Sequence, residues 1–125
     1  MALDRLIFFE RTKLEDRELR EKGFNGTIFH CIDAALNTLG EASKVALYYQ
    51  VGSKFRLDSS QFESRPLEVA DDLHKILGDV GYSFIRKLIV REISKSFNIS
   101  FREGISLPQA VSEARKKFLA QNNVR

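Results

Sequence analysis

A chain of 125 residues has room for one domain, and its 43% hydrophobic and 30% charged residues are typical of a soluble fold rather than a disordered chain. The net charge of +3 permits an acidic partner but does not demand nucleic acid. One cysteine excludes an intramolecular disulfide and a multi-cysteine zinc site, and no apolar run approaches the roughly 20 residues that span a bilayer. We therefore expect a single cytoplasmic domain over residues 1–125. Its seven glycines and two prolines are few, which favours long helices.

Residues 1–23 start with an apolar cluster and continue with charges of alternating sign. The apolar cluster consists of Leu3, Leu6, Ile7, Phe8 and Phe9. The charged part suits an exposed helix with pairs four residues apart, whereas the cluster is equally compatible with a short strand. We interpret residues 1–23 as a helical arm that docks on its own bundle or on a second copy, and the five apolar residues as candidate dimer contacts.

The next two predicted helices are separated by polar or glycine-containing turns. A break is predicted from Gly23 to Gly26, with Asn25 as the N-cap of the following helix. The stripe of that helix is formed by Ile28, Cys31, Ile32, Ala35, Leu36 and Leu39. Thr38 and Glu41 match a capping box that begins another helix. Its predicted apolar face consists of Ala42, Val45, Ala46, Tyr49 and Phe55, with Tyr48 at the edge.

The centre of the chain contains the densest apolar pattern. Pro66 is a first-turn proline, and its helix is lined by Val69, Ala70, Leu73, Ile76 and Leu77. Gly78 is predicted to end that helix and Asp79 to cap a central helix that runs to Phe97. The apolar side of the central helix consists of Phe84, Ile85, Leu88, Ile89, Ile93 and Phe97. A helix that is apolar over so much of its circumference must be covered by several neighbours.

A last helix follows a second capping box formed by Ser106 and Gln109. Its stripe consists of Leu107, Val111, Ala114 and Phe118. Taken together, these patterns predict an all-α fold, a single compact bundle of five to six helices.

Packing residues in the middle of the chain carry a resemblance to a known family. They are Leu39-Gly40-Glu41, Ala46-Leu47-Tyr48-Tyr49, the proline-led acidic helix, and Gly78 followed by Ile85-x-x-Leu88-Ile89-Val90-x-Glu92-Ile93. Over about residues 39–99, the chain resembles a small archaeal helical domain, an output-type domain of thaumarchaeal signalling proteins. The resemblance implies a helical fold, the archaeal cytoplasm and a regulatory setting. It implies no catalytic residues.

Two histidine-containing patterns suggest chemistry but favour a structural interpretation. His30 and Cys31 are adjacent, and consecutive helical residues point about 100° apart, so they do not form the pair that a thiolate mechanism needs. His74 faintly resembles the phosphorylated histidine of phosphotransfer bundles, but Leu77 stands where that pattern has a lysine. We predict a structural Cys31 and a His74 without a chemical role, with Asp71 as a residue that could orient its imidazole.

The remaining charged patterns bear on partners. The carboxylates Glu68, Asp71, Asp72 and Asp79 are predicted to form a solvated acidic face rather than a metal site. A basic row at Lys87, Arg91 and Lys95, extended by Arg115 and Lys116, is a candidate nucleic-acid or acidic-partner face, although Glu92 interrupts it.

The sequence offers no motif for a catalytic, metal or cofactor site. We therefore expect a non-enzymatic regulatory or protein-interaction module that binds a protein partner or a second copy and needs no cofactor. The alternative is a small DNA- or RNA-binding protein that uses the basic face of the helix at 80–97 and the last helix.

Overall fold

The computed structural model describes the backbone of residues 2–122 and the side chains of residues 20–121. Over that range the chain is all-helical, as predicted, and contains four α-helices. They are α1 (Ala2–Asn37), α2 (Glu41–Phe55), α3 (Pro66–Phe97) and α4 (Leu107–Asn122), with a 3₁₀ turn at Ser59–Gln61 between α2 and α3. The prediction of five to six helices is wrong because two of the predicted breaks lie inside long helices.

The first predicted break, at Gly23 to Gly26, lies inside α1. A glycine costs a helix interior about 1 kcal/mol relative to alanine, but neighbouring packing offsets this cost. Phe24 is 1% exposed, and its ring centroid lies 5.5 Å from those of both Phe97 and Phe118. Asn25 is therefore not an N-cap, and its side-chain amide reaches the Ser64 carbonyl at 3.5 Å instead. Residues 2–23 are part of the continuous helix α1 rather than a separate arm.

The second predicted break is a kink inside α3. Gly78 has φ 76° and ψ 176°, a backbone conformation that is essentially restricted to glycine, while helix continues on both sides of it. The sequence thus located the end of the first helical segment correctly. The helical path is interrupted at Gly78 and resumes at once, so the two segments form the single kinked element α3. Asp79, predicted to cap the central helix, directs a carboxylate oxygen to the His74 ring nitrogen at 2.7 Å. Pro66 occupies the first turn of α3, as predicted.

The turn between α1 and α2 does not use the predicted capping box. The Thr38 hydroxyl donates backward to the Ala35 carbonyl at 2.7 Å and so closes the end of α1. Gly40, with φ 97°, is the residue that precedes α2, and no side chain caps that end. Thr38 is therefore a C-terminal partner of α1 rather than an N-cap of α2.

The connection after α3 returns along that helix, so α4 runs in the same general direction as the end of α3. Arg86 donates to the Ile105 carbonyl at 2.5 Å just before α4, and Lys117 donates to the Asn98 carbonyl at 2.5 Å just after α3. Half of the second capping box is present: the Gln109 N–H donates to the Ser106 hydroxyl at 3.3 Å. The Gln109 side chain does not reach back, because it accepts a hydrogen bond from Arg102.

One hydrophobic cluster joins all four helices, and α1 packs most extensively on α3. The predicted stripes of α1, the first part of α3 and α4 face this cluster, as do Ile85, Ile89, Ile93 and Phe97. Phe84 is the exception on α3, since 57% of it is exposed. Among the described residues, no helix has both the length and the hydropathy that crossing a membrane requires.

The predicted face of α2 is wrong. The buried residues of α2 are Leu47 and Val51, whereas Val45 is 55% exposed and Tyr49 is 74% exposed. The helix has apolar side chains on two sides, and the sequence pattern alone does not say which side meets α1 and α3. The side with Leu47 and Val51 is buried, and the predicted side with Val45 and Tyr49 faces outward.

Candidate functional site

An apolar groove lies between the exposed side of α2 and the chain that follows it. We call it the α2 groove; its volume is about 690 Å³. Its lining consists of Val45, Tyr48, Tyr49, Gly52, Ser53, Arg56, Leu57, Asp58, Ser59 and Phe62. Leu57 and Phe62 are buried and belong to the hydrophobic cluster, so the floor of the groove is continuous with the core. The exposed rings and methyl groups of Tyr49 and Val45 stand at its edge.

Tyr48 forms the rigid wall of this groove. Its hydroxyl donates to Asp33 Oδ1 at 2.8 Å, and its ring lies 5.3 Å from the Phe62 ring and 5.9 Å from the Phe29 ring. The same Asp33 oxygen lies 3.4 Å from Lys44 Nζ. Burial, followed by the hydrogen bond to Asp33, raises the pKa of Tyr48, so the phenol stays a neutral donor. These contacts with Asp33, Phe62 and Phe29 hold the Tyr48 ring in place.

Two cations close to the groove are not neutralised within the described part of the chain. Lys54 and Arg56 are exposed, and neither forms an ion pair with any residue between 20 and 121. Arg56 ends α2 in the left-handed conformation, with φ 55°. The rim of the groove therefore combines apolar contact area with the positive charge of Arg56 and the negative charge of Asp58, which also lines it.

A second exposed surface lies on α3 after the kink. Five residues share one side of the helix and are all exposed; we call them the α3 face: Val80, Phe84, Lys87, Arg91 and Lys95. Val80 is 89% exposed and Phe84 is 57% exposed. This face therefore begins with two exposed apolar side chains and continues with three cations. The predicted basic row is thus located on the surface, and it is extended by an aromatic ring that was predicted to be in the core.

Glu92 interrupts this face only at its C-terminal end, next to Lys95. It follows Arg91 directly and so points about 100° away from it. Its oxygen lies 3.8 Å from Lys95 Nζ, whereas Lys87 and Arg91 have no ion-pair partner within residues 20–121.

The cations predicted on the last helix are not all available. Arg115 donates to both oxygens of Glu21, at 2.6 and 2.5 Å, and its guanidinium lies 4.6 Å from the Phe24 ring centroid. Its charge therefore ties α4 to α1. Lys116 is exposed on α4. On α3, Lys87 and Arg91 are thus unpaired among the described residues, whereas Lys95 pairs with Glu92, and on α4 Arg115 belongs to a structural ion pair.

A smaller groove of about 300 Å³ flanks the α3 face. The residues around it are Arg86, Lys87, Val90, Arg91, Ser94, Phe101, Arg102, Glu103, Gly104 and Ile105. Arg86 and Arg102 already donate to Ile105 and Gln109, respectively. Lys87 and Arg91 are the cations of this groove that remain free among the described residues, and Glu103 is an opposing carboxylate at its far side.

His74 has partners that the sequence analysis missed. The prediction assigned its orientation to Asp71, but the ring nitrogen Nε2 lies 2.7 Å from Asp79 Oδ1. The His74 ring also stacks on Tyr82, with centroids 4.2 Å apart and planes 9° from parallel. These contacts bridge the kink at Gly78. Asp79 and Tyr82 lie five and eight residues after His74, on the other side of Gly78. A continuous helix does not bring such positions together, so the helical pattern of the sequence did not indicate these contacts.

The structure agrees with the prediction for Cys31 but not with the prediction for Asp72. Cys31 is 3% exposed, with Sγ 3.4 Å from Ser96 Oγ, which agrees with the structural role predicted for it. Asp72 was predicted on a solvated acidic face, but it is 8% exposed, and burial raises the pKa of its carboxyl. Among the described residues, no group of three or more acidic, histidine or cysteine side chains is arranged to hold a metal ion.

The candidate dimer contacts are on the first turns of α1. The backbone of Leu3, Leu6, Ile7, Phe8 and Phe9 is helical, which decides between the helix and the strand left open by the sequence. Their side chains lie outside the described residues. Comparison with protein-family models, curated proteins and solved structures gives no match for this chain. The resemblance to archaeal output-type domains therefore stays a prediction.

Proposed function

We propose that this chain is a non-enzymatic protein-interaction module that self-associates, with the α2 groove as the receiving surface. The observation that supports it most is that α2 exposes its second apolar side. Each large apolar side chain left in water forgoes about 1.5–3 kcal/mol of burial, so Val45 and Tyr49 give a partner a real driving force. A helix with an apolar stripe fits a groove of this kind.

The chain itself contains a suitable occupant. Residues 3–9 include five large apolar side chains, and they lie on the same continuous helix as Phe29 and Asp33, which border α2. With a rise of about 1.5 Å per residue, Leu6 and Phe29 are about 35 Å apart along α1. A segment at that distance does not reach its own groove while α1 stays helical, but the segment of a second copy does. Twofold symmetry would then fill two grooves with one kind of contact.

The regulatory role is part of the same proposal. A module without a catalytic arrangement acts by changing what is assembled, and a self-complementary surface supplies that action. The signalling setting implied by the resemblance over residues 39–99 is compatible with a dimerising module. The sequence also predicts a protein partner or a second copy.

The oligomeric state of the full chain tests this proposal. Sedimentation velocity should show a dimer for the full chain and a monomer after deletion of residues 1–9. Val45→Glu combined with Tyr49→Glu should give the same monomer, because both side chains are exposed and their replacement leaves the core intact. Val80→Glu is the matched control: it adds a carboxylate at another exposed valine and should leave the dimer unchanged.

The outcomes separate cleanly. A full chain that sediments as a monomer contradicts self-association, and so does a dimer that survives the double substitution in the groove. If the deletion unfolds the chain, as shown by loss of helical circular dichroism, the groove double variant still decides the matter.

A further inference from the structure

We infer that the α3 face is a binding surface for single-stranded nucleic acid, with phosphates on its cations and a base stacked on Phe84. This inference is independent of the proposed self-association, since it concerns a different helix and a different chemistry. It rests on the combination of an exposed basic row with an exposed aromatic ring on the same side of α3. Within the described residues, Lys87 and Arg91 of this row are unpaired, and Lys95 forms a surface ion pair with Glu92 at 3.8 Å, which a phosphate can replace.

The spacing of the cations suits a repeated anion. Lys87, Arg91 and Lys95 follow one another at four-residue intervals, so they lie about 6 Å apart along the helix. The whole face from Val80 to Lys95 extends over about 22 Å. An extended polyanion laid along this face would meet a cation at each interval. A compact ligand with a single charge would use at most one or two of them.

Phe84 separates nucleic acid from other polyanions. Single strands bind where a basic track lies beside aromatic rings, because every base has a flat face that stacks. Phe84 is 57% exposed and one helical turn before Lys87, so its ring stands at the start of the basic row. In a purely acidic partner the ring would meet no counterpart. Val80, one turn further, widens the apolar contact at the same end.

The groove that flanks the α3 face also favours single-stranded nucleic acid as the ligand. Lys87 and Arg91 lie on its α3 side, and Phe101 is on the opposite side, half-buried. Arg86 and Arg102 already donate hydrogen bonds to protein oxygens, so they hold the walls of this groove in place rather than bind a ligand. Glu103 opposes an anion at the far edge, which confines the strand to the side of the groove formed by α3.

The experiment measures the anisotropy of a fluorescent oligothymidylate of about 16 nucleotides, a length within the range of single-strand sites. Binding to the full chain should be detectable at about 50 mM salt and should weaken steeply towards 200 mM, because bound cations release counterions. Three phosphate contacts predict a slope of log affinity against log salt of about −2. Lys87→Ala with Arg91→Ala should reduce that slope by about 1.4.

Two matched variants make the test specific. Phe84→Leu keeps an exposed apolar side chain but removes the ring, and it should weaken binding about five-fold or more without changing the salt slope. Lys22→Ala with Lys116→Ala removes the same charge from exposed positions on α1 and α4, and it should weaken binding less than the double variant on α3. Melting temperatures of all variants should stay close to that of the wild type.

Three results would overturn the inference. The first is no binding at low salt. The second is binding that Phe84→Leu leaves unchanged. The third is displacement of the oligonucleotide by poly-glutamate of equal charge as readily as by unlabelled oligothymidylate, which would assign the surface to acidic proteins.

Discussion

The helix α2 and the part of α3 after Gly78 are both rich in apolar side chains, yet the sequence predicts the buried side of only one of them. In α3, Ile85, Ile89 and Ile93 are buried as predicted, and only Phe84 of the predicted side is clearly exposed. In α2, the predicted side faces outward and Leu47 and Val51 are buried instead. The central helix has one dominant apolar direction, whereas α2 has two that are nearly equal.

The difference explains where the candidate surfaces lie. A helix with two apolar sides uses one for the core and leaves the other exposed, and the α2 groove lies on that second side. A helix with one apolar side leaves a polar face, and on α3 that face is basic with an aromatic residue at its start. A misplaced apolar residue is thus informative, since Val45, Tyr49 and Phe84 all mark an exposed surface.

The largest expected effect separates the two sides of α3. Ile89 is fully buried, so Ile89→Ala should lower the free energy of unfolding by about 2–5 kcal/mol. Leu88 is only half-buried, and Leu88→Ala should cost less than Ile89→Ala. Denaturant unfolding of both variants measures this. Equal losses at the two positions would contradict the placement of Ile89 at the centre of the cluster.

The next prediction tests the corrected face of α2. Leu47→Ala should cost about 2 kcal/mol or more, because Leu47 is 8% exposed and its removal leaves a cavity. Val45→Ala, in the same helix but exposed, should stay within about 0.5 kcal/mol. Thermal and urea unfolding of this pair at low protein concentration keeps any self-association from contributing. The reverse order would restore the face that the sequence predicted.

The smallest expected effect concerns the two predicted breaks. Gly78→Ala should cost about 1–3 kcal/mol, because the backbone conformation is unsuited to alanine although no atom crowds the new methyl group. Gly23→Ala should instead raise the free energy of unfolding by about 0.5–1 kcal/mol, since Gly23 lies in open space inside α1. If Gly23→Ala destabilised the fold, a helix break there would be the better description.

These contrasts show how far a sequence pattern reaches. Strong periodicity identified the stripes of α1, the first part of α3 and α4, and turn chemistry located Pro66 and the change of direction at Gly78. Sequence-based predictions of helix ends failed where the local signal was weak or where it allowed two interpretations. The two glycines near Phe24 suggested a break, but aromatic packing with Phe97 and Phe118 outweighs their cost. Thr38 had an equally good partner behind it, at Ala35.

By itself, the sequence determined that this chain is helical, which residues form most of its core, and that Lys87, Arg91 and Lys95 share one side of a helix. These properties depend on neighbours within about two turns, which the sequence lists directly. Only the tertiary structure decided which side of α2 is covered, that Arg115 is neutralised by Glu21, and that Phe84 stands beside free cations. Those outcomes depend on contacts between residues far apart in the chain, where several pairings satisfy the same local pattern.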